Sequence, residues 1–300
     1  MVIKMNYVSV SEIAKRWNVT DRSVRKYCAD GRVDGAFLTG KTWSIPADAV
    51  KPSRKKRASR SAKTLLERMR EEMQCRLSGG IYHKVQIDLT YNSNHMEGSR
   101  LTHEQTRYIF ETNTIGVTDT GINVDDIVET ANHFKCIDLI IEGAQNALTE
   151  KSIKQLHRVL KSGTSDSRKP WFAVGEYKKL PNEVGGEATT APEQVRDEVR
   201  ALLAWYQSLP TVTLNDIVEF HVRFERIHPF QDGNGRVGRL IMFKECLRHN
   251  ITPFIIDEEH KLFYYRGLAQ WHLERGYLLE TCRSAQDKFQ KISEYFRVFD

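Results

Sequence analysis

Three hundred residues leave room for a full-sized core plus a small extra domain, and 40% apolar with 28% charged residues is an ordinary globular balance. No run approaches the roughly 18 consecutive apolar residues of a membrane helix, and the opening MVIKMNYVSV lacks the apolar stretch of a signal peptide. Residues 1–70 hold 17 Lys+Arg against 6 Asp+Glu, a net of +11, while the remainder holds 28 against 33, a net of −5, so two units with different partners are expected. The five cysteines (Cys28, Cys75, Cys136, Cys246 and Cys282) are scattered and form no C-x-x-C, which fits free thiols in a reducing cytoplasm.

In chain order, SVSEIAKRWNVTDRSVRKYCADGRV splits into two short helical patterns. Ser11 is a candidate cap for the first, which carries Ile13, Ala14 and Trp17 at helical spacing; Asp21 is a candidate cap for the second, with Val24 and Tyr27 inward. Arg22, Ser23, Arg25 and Lys26 then fall on the exposed side of the second helix, where they can meet phosphates and base edges. GRVDGAFLTGKTWSIPADAVKP predicts a short hairpin around Thr39-Gly40-Lys41. This stretch resembles the winged helix-turn-helix of excisionase and MerR-like DNA-binding domains, which implies a duplex DNA partner for residues 1–52. The bland alternative is a basic helical pair used for protein contact. Residues 53–62 read as a basic linker that adds sequence-independent phosphate affinity.

From residue 63 to 300 the chain reads as mostly helices, with apolar residues at i, i+3, i+4 over 62–77, 124–145, 152–163, 191–209, 214–227, 237–250 and the tail 262–296. TYNSNHMEGSRLTHEQT (90–106) holds a helix end and a helix start: Gly98 terminates one helix, and Thr102 with Gln105 forms a capping box for the next. Glu97 therefore stands at a helix C-terminus, where the dipole disfavours a carboxylate, so a cationic partner is expected. FAVGEYKKLPNEVGGEA (172–188) is the one extended insert and a candidate hairpin.

HPFQDGNGRVGR (228–239) contains G-x-G-x-x-G, but an amphipathic helix precedes it, not the strand a dinucleotide fold requires. The residues suit another chemistry. Gly233 and Gly235 can form an anion nest at a helix N-terminus. Arg236 and Arg239 can clamp phosphate oxygens. Asp232 is a hard ligand for Mg²⁺, and His228 can accept a hydroxyl proton near neutral pH. Together they are a kit for attack by a hydroxyl on a nucleotide phosphate.

HPFQDGNGRVGR resembles the Fic family motif H-P-F-x-[D/E]-G-N-G-R-x-x-R with every fixed position present. The resemblance covers roughly residues 80–290 and implies a mainly α fold, an all-helical core with a β-hairpin flap. It implies transfer of AMP from ATP to a Ser, Thr or Tyr hydroxyl of a target protein. His228 would be the base and Asp232 the Mg²⁺ ligand; Gly233, Asn234 and Gly235 would hold the α-phosphate region; Arg236 and Arg239 would contact the β- and γ-phosphates. Val184 and Gly185 align with flap positions near the nucleotide, and the flap docks the target by strand pairing. Tyr264 aligns with a tyrosine directed at the nucleoside, or packs in the core. Ser93, Glu97 and Gly98 match the family's inhibitory motif [S/T]-x-x-x-E-[G/N], in which the glutamate pairs with the second arginine, here Arg239. The rival readings are a DNA-binding regulator with a nucleotide-sensing core, and an enzyme that removes AMP or transfers another nucleotide. A homodimer is among the assemblies left open.

Overall fold

The computed structural model describes residues 6–39, 42–52, 63–116, 121–296 and 298. The chain divides into two compact units, Met1–Ser61 and Ala62–Asp300. Among the described residues no helix is long and apolar enough to cross a membrane.

In the first unit, β1 (Tyr7–Val8) leads into α1 (Val10–Trp17) and α2 (Asp21–Ala29), followed by β2 (Phe37–Thr39) and β3 (Thr42–Pro46). The three strands form one antiparallel sheet in the order β1-β3-β2. The helix starts sit slightly upstream of the expected ones. Ser9 and Glu12 make a capping box for α1, and Thr20 caps α2. Ser11 instead donates its hydroxyl to Asp21 at 2.8 Å, tying one helix start to the next. Asn18 ends α1 in the left-handed region, φ 50°, which turns the chain within three residues. Val10, Ile13, Ala14, Trp17, Val24, Cys28, Val33 and Ile45 close the core. Gly40 and Lys41 of the expected turn, and the basic stretch 53–62, lie outside the described residues.

The second unit is helical: α3 (Leu65–Gln74), α4 (Ile81–Met96), α5 (His103–Thr112), α6 (Val124–Glu142), α7 (Glu150–Lys161), α8 (Val195–Gln207), α9 (Leu214–Ile227), α10 (Asn234–Arg248), α11 (Glu258–Ala269) and α12 (Gly276–Tyr295). One hairpin, β4 (Glu183–Val184) with β5 (Glu187–Ala188), interrupts it. Only these residues of the extended insert pair as strands. Gly185 (φ 60°) and Gly186 (φ 83°) supply the two left-handed positions that a tight hairpin turn demands. The tail 262–296 is two helices, broken over 270–275. The organising element is α10. Every residue from Arg236 to Leu247 is buried, and the helix packs on α4, α6, α7 and α9.

At Gly267 in α11 the backbone of α12 comes close: an added Cβ would lie 2.7 Å from Leu278 Cα and 2.8 Å from its N. Replacing Gly by Ala in a helix gains about 1 kcal/mol of propensity, whereas forcing backbones apart costs about 1–3 kcal/mol. Gly267→Ala is expected to lower the thermal midpoint of the second unit; an unchanged or higher midpoint in calorimetry would show that α11 and α12 can separate freely.

Candidate active site

The site lies where α9 hands over to α10. His228 caps α9 in a left-handed conformation, φ 50° and ψ 61°, uncommon for a residue with a Cβ. Its Nδ1 is 3.1 Å from the Glu225 carbonyl. A carbonyl only accepts, so Nδ1 carries the proton and Nε2 keeps its lone pair. Burial, aided by the charge of Lys178, lowers the imidazole pKa. His228 therefore rests neutral, as a proton acceptor must.

The loop after it is braced from three sides. Asn234, buried, accepts from the Phe230 amide and donates to the Phe230 carbonyl, both at 2.8 Å. Its side-chain amide thus closes the loop on both sides of Phe230. His157 of α7 stacks on Phe230 with ring centroids 4.0 Å apart. Its Nδ1 accepts from the Gly175 amide at 2.9 Å, so Nε2 donates to the Asp232 carbonyl at 3.1 Å. Gly233, at φ 81°, then starts α10.

Around this loop lie three buried cations and their carboxylates. Asp232 accepts from Lys161 at 2.6 Å and from Arg236 at 3.3 Å. Burial alone would raise its pKa; Arg236, Lys161 and the Gly233 amide outweigh it and hold the carboxyl at about 2. Lys161 and Arg236 also share Glu129 of α6. Arg239 donates from Nη2 to Glu97 at 2.6 Å and to the Ser93 carbonyl at 3.0 Å, and from Nε to the Ser93 hydroxyl at 3.0 Å. Burial works against the charge on Arg239, but Glu97 beside it raises the pKa further above its already high value.

Glu97 stands at the end of α4, and Gly98, φ 95°, turns the chain away. Its carboxylate reaches over the first turn of α10. An added Cβ on Gly235 would lie 2.3 Å from Glu97 Oε1 and 2.9 Å from Arg239 Nη1. Gly235 is itself within the helix, so closeness of approach, not backbone freedom, requires glycine there. The carboxylate of Glu97 occupies the N-terminal end of a helix, where an anion is favoured.

Tyr264 takes the second of its two expected places, in the core. It is 1% exposed, and its hydroxyl meets His221 Nε2 at 2.6 Å, so it presents no face to a ligand. Its neighbour Tyr265 is 41% exposed and donates to the Met96 carbonyl at 3.1 Å, next to Glu97. Val184 and Gly185 sit at the hairpin, but the hydrogen bonds from hairpin to loop run through Lys178, Leu180 and Asn182. In the first unit Arg22, Arg25 and Lys26 are exposed along α2, whereas the Ser23 hydroxyl lies 3.0 Å from that of Thr20 as part of the cap. Sequence reasoning missed Lys161, Glu129 and Lys178. One signal was available: His157 and Lys161 fall on the buried stripe of α7 with Ile153, Leu156 and Leu160, and polar groups on such a stripe have partners.

Residues 147–246 match the model of the Fic/DOC family. The chain is 27% identical over 184 residues to a protein named protein adenylyltransferase Fic from Nematostella vectensis, covering 60% of this chain and 42% of that protein. A Drosophila melanogaster protein of the same name is 29% identical over 187 residues, covering 59% and 36%. The chain thus spans about two fifths of the length of the curated relatives it matches. Among solved structures, a Fic domain containing signaling protein from Bacteroides thetaiotaomicron aligns with a TM-score of 0.58 at 26% identity, over 78% of this chain and 93% of that one. A Fic family protein from Desulfovibrio desulfuricans aligns with a TM-score of 0.61 over 77% and 72%; at 20% identity it supports the fold alone.

Glu225, three residues before His228, has one buried carboxyl oxygen without a partner. Burial raises its pKa to about 8, against roughly 4.3 in an unfolded chain. A raised native pKa means that the favourable contribution is complete below the unfolded value and is lost as pH rises through about 8. Glu225→Gln removes this titration. The variant's melting midpoint relative to wild type is expected to increase from pH 5 to pH 8; a constant difference would mean that Glu225 is ionised in the native state.

Proposed function

We propose that this protein is a self-inhibited adenylyltransferase that moves AMP from ATP to a protein hydroxyl. The observation that carries the reading is the Glu97–Arg239 pair lying over Gly235 at the start of α10. A neutral His228 with a free Nε2 supports chemistry over mere sensing, and the names of the relatives point the same way.

In this reading the nucleotide phosphates lie over the N-terminus of α10, held by its first amides and by Arg236 and Arg239. His228 Nε2 takes the acceptor hydroxyl proton as that oxygen bonds to the α-phosphorus; the bond to pyrophosphate breaks and pyrophosphate leaves. Mg²⁺, if bound, would be held by Asp232 and would supply neutralisation of charge on the phosphates. Asp232 suits this role as an ionised carboxylate that stays 44% exposed despite its partners. No group of three or more metal-ligating side chains exists among the described residues. The donor set therefore fits an ion brought with phosphates rather than a fixed protein cage. Glu97 restrains Arg239 and keeps the γ-phosphate from its productive position.

The first unit extends the proposal to duplex DNA. Two helices joined by a tight turn, backed by an antiparallel sheet, present Arg22, Arg25 and Lys26 on the exposed side of α2. A cytoplasmic setting suits the five free thiols.

Glu97→Gly is expected to raise incorporation of label from α-labelled ATP by about 10²-fold, the scale on which misplacement by an ångström acts. Adding Arg239→Ala should return it to a low level, since no arginine remains to be freed. His228→Ala in the Glu97→Gly background should lose transfer by about 10²–10⁴-fold while retaining ATP affinity. Equal labelling by Glu97→Gly and wild type would remove self-inhibition; loss of an AMP-stripping activity in that variant would identify removal as the reaction. For the first unit, retardation of duplex DNA in gels should weaken steeply as salt rises. Absence of retardation at low salt would make it a protein-contact module.

A further inference from the structure

Lys178 is a buried lysine outside the family motif, 4% exposed, and among the described residues no carboxylate accepts from it. Its three protons meet three neutral acceptors: Asn182 Oδ1 at 2.7 Å, the Thr189 hydroxyl at 2.5 Å and the Ile227 carbonyl at 3.3 Å. Asn182 immediately precedes β4 and Thr189 immediately follows β5, so one ammonium grips both strands of the hairpin. Ile227 immediately precedes His228. The backbone repeats the link, with the Lys178 amide donating to the Pro229 carbonyl at 2.8 Å and Asn182 Nδ2 to the Phe230 carbonyl at 3.0 Å.

We propose that Lys178 is a positioning residue whose ammonium fastens the base of the β4–β5 hairpin to the turn carrying His228, so that an acceptor segment on the hairpin meets the base in register. The proposal rests on the adenylyltransferase reading for its acceptor, but the mechanical link stands on the contacts alone. Burying an unpaired ammonium is costly, and a purely structural tie would be made more stably by an apolar side chain. What the ammonium adds is direction: three donors aimed at three fixed acceptors in different segments.

The link is also sensitive to pH. Burial lowers the Lys178 pKa to about 8. Around it, the Asn182 and Thr189 side chains and the Ile227 carbonyl do not ionise, and His228 is the titratable group whose pKa its charge affects. Below about pH 8 three protons serve three acceptors. Above it the neutral amine keeps two, and one contact fails. Hairpin registration, and with it transfer, should decline as pH rises through that value.

The test uses the full chain in the Glu97→Gly background, comparing Lys178→Met and Lys178→Arg. Two readouts are needed: transfer of label from ATP, with affinity for a fluorescent ATP analogue measured beside it, and hydrogen exchange of the amides of 183–189. Lys178→Met should lose about tenfold in transfer with less than about threefold change in nucleotide affinity, the split expected when orientation and not binding is lost. Its hairpin amides should exchange faster at an unchanged melting midpoint. Lys178→Arg, charged at all accessible pH, should recover most of the transfer and lack the decline near pH 8. Unchanged hairpin protection in Lys178→Met, or nucleotide affinity falling in step with transfer, overturns the proposal. If Glu97→Gly itself transfers no AMP, the adenylyltransferase reading fails separately. Hydrogen exchange then decides on Lys178, through faster exchange in Lys178→Met and, in the parent chain, a loss of protection above about pH 8 that Lys178→Arg does not share.

Discussion

The constraint on which the site depends is that α10 is buried on every side and still carries cations. A helix in that position is ordinarily apolar all round. Here Arg236, Arg239 and Lys244 are buried along it. Each must have partners, because an unpaired buried charge costs several kcal/mol. The partners come from separate parts of the chain: Glu129 of α6 and the loop's Asp232 for Arg236, Glu97 and Ser93 at the end of α4 for Arg239, and Glu245 with the Ala144 and Asn146 carbonyls for Lys244. The central helix thereby ties itself to α4, to α6, to the turn after α6 and to the loop before its own start. Fold and site are one set of interactions.

The handover at His228 follows from the same geometry. Residue 228 takes a left-handed conformation that frees α9 to end, and the Phe224 carbonyl still receives its amide at 2.9 Å. Three rigid groups then hold the loop: the Asn234 amide within it, the His157 ring against Phe230, and Lys178 from beyond the hairpin. Under the proposed reading, a side chain held this firmly would lose little entropy on meeting a substrate, the property that orientation contributes to catalysis.

Much of this was legible in the sequence, and the rest was hidden for definite reasons. A dense local motif reveals itself, because His, Asp, two Arg and three Gly within twelve residues have no role in simple packing. The Glu97 partner was legible too, since a carboxylate at a helix C-terminus calls for a cation. The two readings of Tyr264 stayed open because pattern alone does not say which of two adjacent tyrosines faces in; the buried phase His260, Tyr264, Gly267 selects core packing. Glu129 and Lys161 were invisible as partners because Glu129 lies 107 residues from Arg236 and Lys161 lies 71 from Asp232, and long-range pairing leaves no trace in spacing. In the first unit the caps shifted by one or two residues, since Ser9 and Thr20 outcompete Ser11 and Asp21 for the same amides. Boundaries of that kind depend on local geometry that composition does not carry.

The electrostatic state of the site bears on how it can open. Arg239 has Glu97 and Arg236 has Glu129, so both motif arginines are neutralised within the chain before any polyanion arrives. The two restraints differ in kind. Glu129 is within a helix, and its carboxylate is shared with buried Lys161, so moving it would strand a second cation. Glu97 is the last residue before a left-handed glycine, with a side chain 26% exposed, and it serves Arg239 alone among the ion pairs of the described residues. Withdrawing it requires rotation at a helix end rather than disruption of a core. Displacing Glu97 would leave buried Arg239 with only the neutral Ser93 contacts until another anion replaced it, whereas displacing Glu129 would strand both Lys161 and Arg236.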